Sequence, residues 1–243
     1  MHWRETRYGQ VEHRRLYLYD DFNRADTTEP DLGTAVRGGK WLIANESGVA
    51  PGRYGCIRSG YATSSRQTRD GQFVLINERG PGAAPTILFA EVRWALVPNG
   101  LSYSGWMSMG CTNEQNACSG ANGLHIAVRR SRCDVRIRKN GVETFRKQQF
   151  FDPQLSVGIH YLVIADINAA AGTVTVSING LDLLKVQTGL VGQVLGATCY
   201  WQACYDSYLK ATAELAFKEL GASIDPPRPS VPRKRDTRWV IAL

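Results

Sequence analysis

The chain has no run approaching the roughly 20 apolar residues a membrane-spanning helix needs, so it predicts no membrane insertion. Its first residues, Met1-His2-Trp3-Arg4-Glu5-Thr6-Arg7, lack the apolar core of a signal peptide. With Met1 as the native start, the expectation is a protein not exported by the usual route. Histidine is scarce, at four residues, with no metal-ligand His pair and no glycine-rich phosphate loop. The six cysteines are Cys56, Cys111, Cys118, Cys133, Cys199 and Cys204. Neither Cys111/Cys118 nor Cys199/Cys204 has the tight Cys-x2-Cys spacing of a zinc knuckle, and no His stands beside them, which argues against zinc. Each of these pairs reads either as a disulfide closing a loop or as buried free thiols. No Ala/Glu/Lys/Leu segment of helical period occurs.

What is present reads as strand and turn. With 43% hydrophobic and 21% charged residues in 243 positions, the composition is that of an ordinary globular protein, and this length fits one sandwich unit. Ile87 to Val97 alternates: Leu88, Ala90, Val92, Trp94 and Leu96 share one face, Phe89, Glu91 and Arg93 the other. A period of two marks a strand with one buried face. Leu124/Ile126/Val128, Cys133/Val135/Ile137 and Val174/Val176/Ile178 repeat the pattern. Asn140-Gly141 and Asn179-Gly180 are hairpin turns, because Asn and Gly accept positive φ. Leu16 begins the first strand, and Ala213 to Leu220 closes the fold near it. The fold class expected is all-β, an antiparallel two-sheet jelly-roll sandwich over residues 16–224, with arms at 1–15 and 225–243.

The net charge of +7 raises nucleic acid as a partner, so its location matters. Residues 1–15 carry +2 and residues 225–243 carry +3, which leaves +2 between them. The excess therefore sits on the arms, and no nucleic-acid partner is expected. The C-terminal arm has four prolines in residues 225–232, which stiffens it. It then runs through Arg233, Lys234 and Arg235 to Trp239 and an apolar end, the residues expected to bind a partner surface.

The segment Asp20-Asp21-Phe22-Asn23-Arg24-Ala25-Asp26, with Leu32-Gly33-Thr34 and Trp41, resembles the start of concanavalin-A-like, or laminin-G-like, domains of bacteria and phages. Val174 to Gly180, after the strand at Tyr161, is similar to their late hairpin. Within that family the chain looks most like minor tail proteins of tailed phages infecting actinobacteria. The resemblance implies a virion component assembled in the host cytoplasm, part of a homo- or hetero-oligomeric assembly with other tail proteins, which presents its sandwich to a host cell-envelope glycan. One departure is Arg37-Gly38-Gly39-Lys40 before Trp41, where the family has a compact Gly-x-x-Trp.

Hydrolases of this fold need carboxylates spaced along one strand. Here Glu91 is followed by Arg93 and Ala95 where the partners should stand, and a carboxylate beside a guanidinium suits a salt bridge. No catalytic residue is assigned, and His125 and His160 read as satisfied strand residues. Sugar rings stack on aromatics, and the candidates are Tyr103, Trp106, Tyr200, Trp201, Tyr205 and Tyr208. Structural calcium would draw on Asp21, Asn23, Asp26 and Asp206, whose acidic loop is equally explained by turn capping. The alternatives to adhesion are a polysaccharide-active hydrolase of the same fold, or a capsid or tail decoration protein without a glycan ligand.

Overall fold

The computed structural model describes residues 16–45, 52, 54–63, 73–77, 82–94, 105–205 and 215–224. The expected arms, with Arg233, Lys234, Arg235 and Trp239, lie outside the described residues. In chain order the strands are β1 (Leu16–Asp20), β2 (Trp41–Ala44), β3 (Cys56–Arg58), β4 (Tyr61–Thr63), β5 (Phe73–Asn77), β6 (Ile87–Trp94), β7 (Gly105–Thr112) and β8 (Gly123–Val128). They continue as β9 (Arg132–Lys139), β10 (Val142–Phe150), β11 (His160–Asn168), β12 (Thr173–Ile178), β13 (Leu181–Gln187), β14 (Thr198–Tyr205) and β15 (Leu215–Ser223). One short helix, α1 (Val191–Val194), precedes β14.

The strands form two antiparallel sheets. One runs β13-β12-β11-β6-β15-β4-β3, with β1 also paired to β15; the other runs β10-β9-β8-β7-β14-β5-β2. The β1–β15 pairing closes the fold where the sequence places it, Leu18 opposite Ala222 and Asp20 opposite Leu220. Alternation builds the core: Leu88, Ala90, Val92 and Trp94 from one sheet meet Met107, Met109, Leu124, Ile126, Val135 and Ile137 from the other. Apolar burial of this kind is the main favourable contribution to folding. Trp201 crosses the gap, its Nε1–H donating to the Phe89 carbonyl of the opposite sheet at 3.0 Å. Both expected hairpin turns form, with Asn140 and Gly141 at φ 54° and 75° and Asn179 and Gly180 at 51° and 80°.

The opening motif is a staple between sheets. Asp20 is wholly buried and its carboxylate accepts from Arg24 Nη1 and Nη2 at 2.7 and 2.8 Å. It also accepts from the Phe22 amide at 3.0 Å and from Trp41 Nε1 at 2.6 Å. Arg24 donates onward to the Leu32 carbonyl. Asp20, Phe22, Arg24, Leu32 and Trp41 thus form one unit because each satisfies or packs on another, with Phe22 and Trp41 rings 6.2 Å apart.

All six cysteines are free and buried. Neither loop-closing disulfide forms, for a reason of parity. Cys199 and Cys204 are five residues apart on β14, so they project from opposite faces. Cys111 points into the main core, while Cys118 belongs to a separate apolar cluster with Tyr200. The thiol that stands opposite Cys111 across the strand pair is Cys199.

Candidate functional site

The face of the second sheet turned away from the core can be laid out from its registers. Pairing puts Phe150 beside Arg132, Gln148 beside Asp134 and Arg146 beside Arg136. Asp134 then neighbours Ala127, and Arg136 neighbours His125. Ala127 and His125 lie beside Ser108 and Gly110 of β7, and those beside Gln202 and Tyr200 of β14. Residues two apart on a strand are about 7 Å apart and strands about 4.8 Å, so β10 to β7 spans roughly 14 Å.

The two halves of this face differ. Over β14, β5 and β2 the loop joining β7 to β8 lies down, and Ala117, Cys118 and Ala121 pack on Val74, Ile76, Ala44 and Tyr200. Tyr200 donates to His125 Nδ1 at 2.6 Å, and Ser108 Oγ lies 3.2 Å from the same hydroxyl. His125 Nε2 is 2.9 Å from the Ala121 carbonyl. A carbonyl only accepts, so the proton sits on Nε2 and Nδ1 accepts from Tyr200. Burial pushes the His125 pKa down to about 4, with the Arg138 and Arg136 charges acting in the same direction and the Ala121 bond opposing them. The same burial lifts the Tyr200 hydroxyl well above its ordinary range.

The β8–β10 half carries charge. Asp134, with no exposed side-chain surface, lies 3.5 Å from Arg132 Nε, 3.1 Å from Arg136 Nη2 and 3.5 Å from Arg146 Nη2. Gln148 Nε2 donates to its other oxygen at 2.6 Å. At one end of the patch the Arg129 guanidinium stacks 4.0 Å from the Trp106 ring centre. At the other Phe150 is 63% exposed, with the Arg132 guanidinium 6.0 Å from its ring. The open face is therefore a row of guanidinium groups between two aromatic rings, over a carboxylate already committed to its neighbours.

Of the aromatics expected to contact sugar, Trp106 lies on this face and is half-buried. Tyr200 and Trp201 do not serve: both are 0% exposed. Alternation sends Tyr200 under the β7–β8 loop and Trp201 into the core, so one strand buries both by using its two faces. Tyr103 and Tyr208 lie outside the described residues, as does the side chain of Tyr205. The arginines were missed because the charge was summed between the arms. Residues 129–147 hold eight basic side chains against Asp134 and Glu143, a local +6. The +2 between the arms thus divides into +6 here and −4 elsewhere, and a short-window sum finds it.

On the outer face of the other sheet, Tyr61 Oη lies 3.2 Å from His160 Nε2, and His160 Nδ1 lies 2.8 Å from Glu91 Oε1. Glu91 thus pairs with His160, while Arg93, its expected partner, stacks 4.8 Å over the Tyr61 ring. This tie joins β4, β6 and β11.

No protein-family model matches the sequence, and no curated protein does. Solved structures do. The carbohydrate recognition domain of Emp47p superposes with a TM-score of 0.63 at 9% identity, over 88% of this chain and 99% of that one. The fold is a concanavalin-A-like sandwich. A legume lectin-like domain from Entamoeba histolytica (TM-score 0.55, 9% identity, 74% of this chain and 87% of that one) agrees. So does a Bacillus licheniformis β-glucanase (0.53, 12%, 84% and 96%).

Within this concanavalin-A-like sandwich the expected calcium ligands do not make a cage. Asp21 Oδ1 accepts from the Asn23 amide at 3.0 Å, and Asp26 Oδ1 accepts from the Ser59 amide at 2.7 Å. The first closes a local turn, and the second ties the opening loop to the turn between β3 and β4. Among the described residues no three His, Cys, Asp or Glu side chains converge on a metal position. Asp206 lies outside them.

Proposed function

We propose that this chain is a non-enzymatic adhesion protein of a virion, a minor tail protein whose sandwich holds a glycan of the host cell envelope. The observation that carries the glycan reading is the row Phe150–Arg132–Arg129–Trp106 on the open half of the outer face. Sugar rings offer apolar C–H faces to aromatics and hydroxyl acceptors to guanidinium N–H groups, and this row supplies both. Two neighbours in fold are named as a carbohydrate recognition domain and a legume lectin-like domain, which supports the same reading. The β-glucanase neighbour favours hydrolysis only weakly. The carboxylate on the open patch, Asp134, is buried among three arginines and a glutamine. That holds it as a counter-ion and not as an acid facing a scissile bond. The tail assignment rests on the motif from Asp20 to Asp26 with Leu32-Gly33-Thr34 and Trp41. The basic C-terminal segment is assigned to anchoring in the particle.

Host cell-envelope polysaccharide immobilised on a sensor tests the binding reading. The Trp106→Ala/Phe150→Ala double variant is expected to lose roughly tenfold or more in affinity while remaining folded. Unchanged affinity in that variant overturns the site, and sugar release abolished by Glu91→Gln overturns the non-enzymatic assignment. Antibody against the chain should decorate the tails of purified particles; labelling absent from them removes the tail assignment.

A further inference from the structure

We infer that the ligand of this face is an anionic glycan, one bearing carboxylate, phosphate or sulfate groups, held by Arg132, Arg136 and Arg146. The inference rests on the glycan reading above and narrows it to a chemical class. Its first support is a mismatch of donors and acceptors. Three guanidinium groups present about fifteen N–H donors, while the Asp134 carboxylate offers about four lone-pair sites, one of them taken by Gln148. The arginine contacts to Asp134, at 3.1 to 3.5 Å, are longer than the roughly 2.7–2.9 Å of a strong charge-assisted bond. Asp134 orients the three side chains without saturating them.

The second support is charge. One carboxylate among three guanidinium groups leaves a local excess of two positive charges, within the +6 of residues 129–147. The three side chains are 21 to 35% exposed, so their free edges reach solvent while their stems are packed. The Nε–H groups of Arg136 and Arg138 are buried and make no hydrogen bond, so the protein itself does not saturate the donors of this cluster. A guanidinium fork held in place matches the paired oxygens of a carboxylate, phosphate or sulfate better than it matches a hydroxyl. The aromatic ends of the row, Trp106 and Phe150, place sugar rings on either side of the acidic substituent. Charge gathered on one carboxylate suits substituents spaced along a glycan, whereas a nucleic acid needs a basic tract following its backbone.

The test measures affinity of the full-length protein for polygalacturonate, dextran sulfate, poly(glycerol phosphate), neutral dextran and oligo(dT), each at several salt concentrations. At least one acidic polysaccharide should bind, more weakly as salt rises, with neutral dextran behind it. The Arg136→Gln/Arg146→Gln variant should lose roughly ten- to hundredfold for that polymer, and Lys40→Gln, a charge removed elsewhere, should lose nothing. If the double variant does not fold, Arg146→Gln, the most exposed of the three, gives a smaller loss in the same direction. Which acidic polymer binds identifies the substituent. Neutral glycan bound as tightly as acidic, with both arginine variants unaffected, overturns this inference and leaves the glycan reading standing. Oligo(dT) bound ahead of every polysaccharide overturns both, as does absence of any polysaccharide binding.

Discussion

Asp20 takes four hydrogen bonds with no side-chain exposure, from two Arg24 nitrogens, the Trp41 indole and the Phe22 amide. Such a group is a point where one atom decides stability. Asp20→Asn keeps the shape but puts an NH2 where donors now converge and leaves the Arg24 guanidinium without its counter-ion. Removing one member of a buried ion pair costs about 3–5 kcal/mol; Arg24 is 28% exposed, so roughly 3 kcal/mol is expected. Urea unfolding monitored by Trp fluorescence reads it, and a midpoint unchanged from the parent protein refutes the staple. The motif was visible as a resemblance, but its meaning was not, because only coordinates show that its carboxylate points inward. The neighbouring Asp21 and Asp26 point outward onto turn amides instead. At the same scale Trp201, with its indole spanning both sheets, is a residue whose loss reports on folding and not on ligand.

Strands were legible where large apolar residues occupy alternate positions, and obscure where they stand at successive positions or are nearly absent. Alternation found β6, β8, β9 and β12, whose inward residues are those expected. Strand β10 was not read because it is a sheet edge: only Phe145 packs on the core, and a register shift between Glu143 and Phe145 breaks the period. Strand β14 misled in the opposite sense, since aromatics on two buried faces resemble an exposed cluster in sequence. The hydrogen-bonded chain Ser108–Tyr200–His125–Ala121, which ties β7, β8 and β14 to the loop covering them, gives these elements a pH dependence. His125 in the unfolded chain binds a proton near its ordinary pKa of about 6.5, but in the fold only near 4. Between those values the unfolded state holds more protons, so stability is full above about pH 6.5 and declines as pH falls toward 4. The difference between the two values amounts to roughly 3 kcal/mol. Unfolding free energies at pH 7, 5.5 and 4 should converge between the parent and His125→Gln, since the variant lacks this proton; parallel declines would remove His125 as the cause.

Across the whole molecule, charge and apolar pattern were legible at different resolutions. A two-sheet sandwich follows from many weak alternations that agree, so errors at single strands leave the architecture intact. Charge does not average in that way: the +6 of residues 129–147 vanished into a near-neutral total because the rest of residues 16–224 carries −4. The consequence is a division of labour between two basic regions. If the β9–β10 face holds the glycan and the C-terminal segment anchors the chain, substitutions in one should leave the other's task untouched. Arg233→Gln/Lys234→Gln/Arg235→Gln removes the +3 of residues 225–243, which lie outside the described residues. Expressed in place of the parent chain during infection, this triple variant should be absent from purified particles, while the same protein in isolation binds envelope polysaccharide with parental affinity. Arg136→Gln/Arg146→Gln should do the reverse, entering particles that then adsorb poorly to cells. Adhesion lost with the terminal triple variant and kept with the strand variant would move the binding surface off the sandwich altogether, because a field of +3 on a tail acts on any anionic envelope without needing the ordered arginines of β9 and β10.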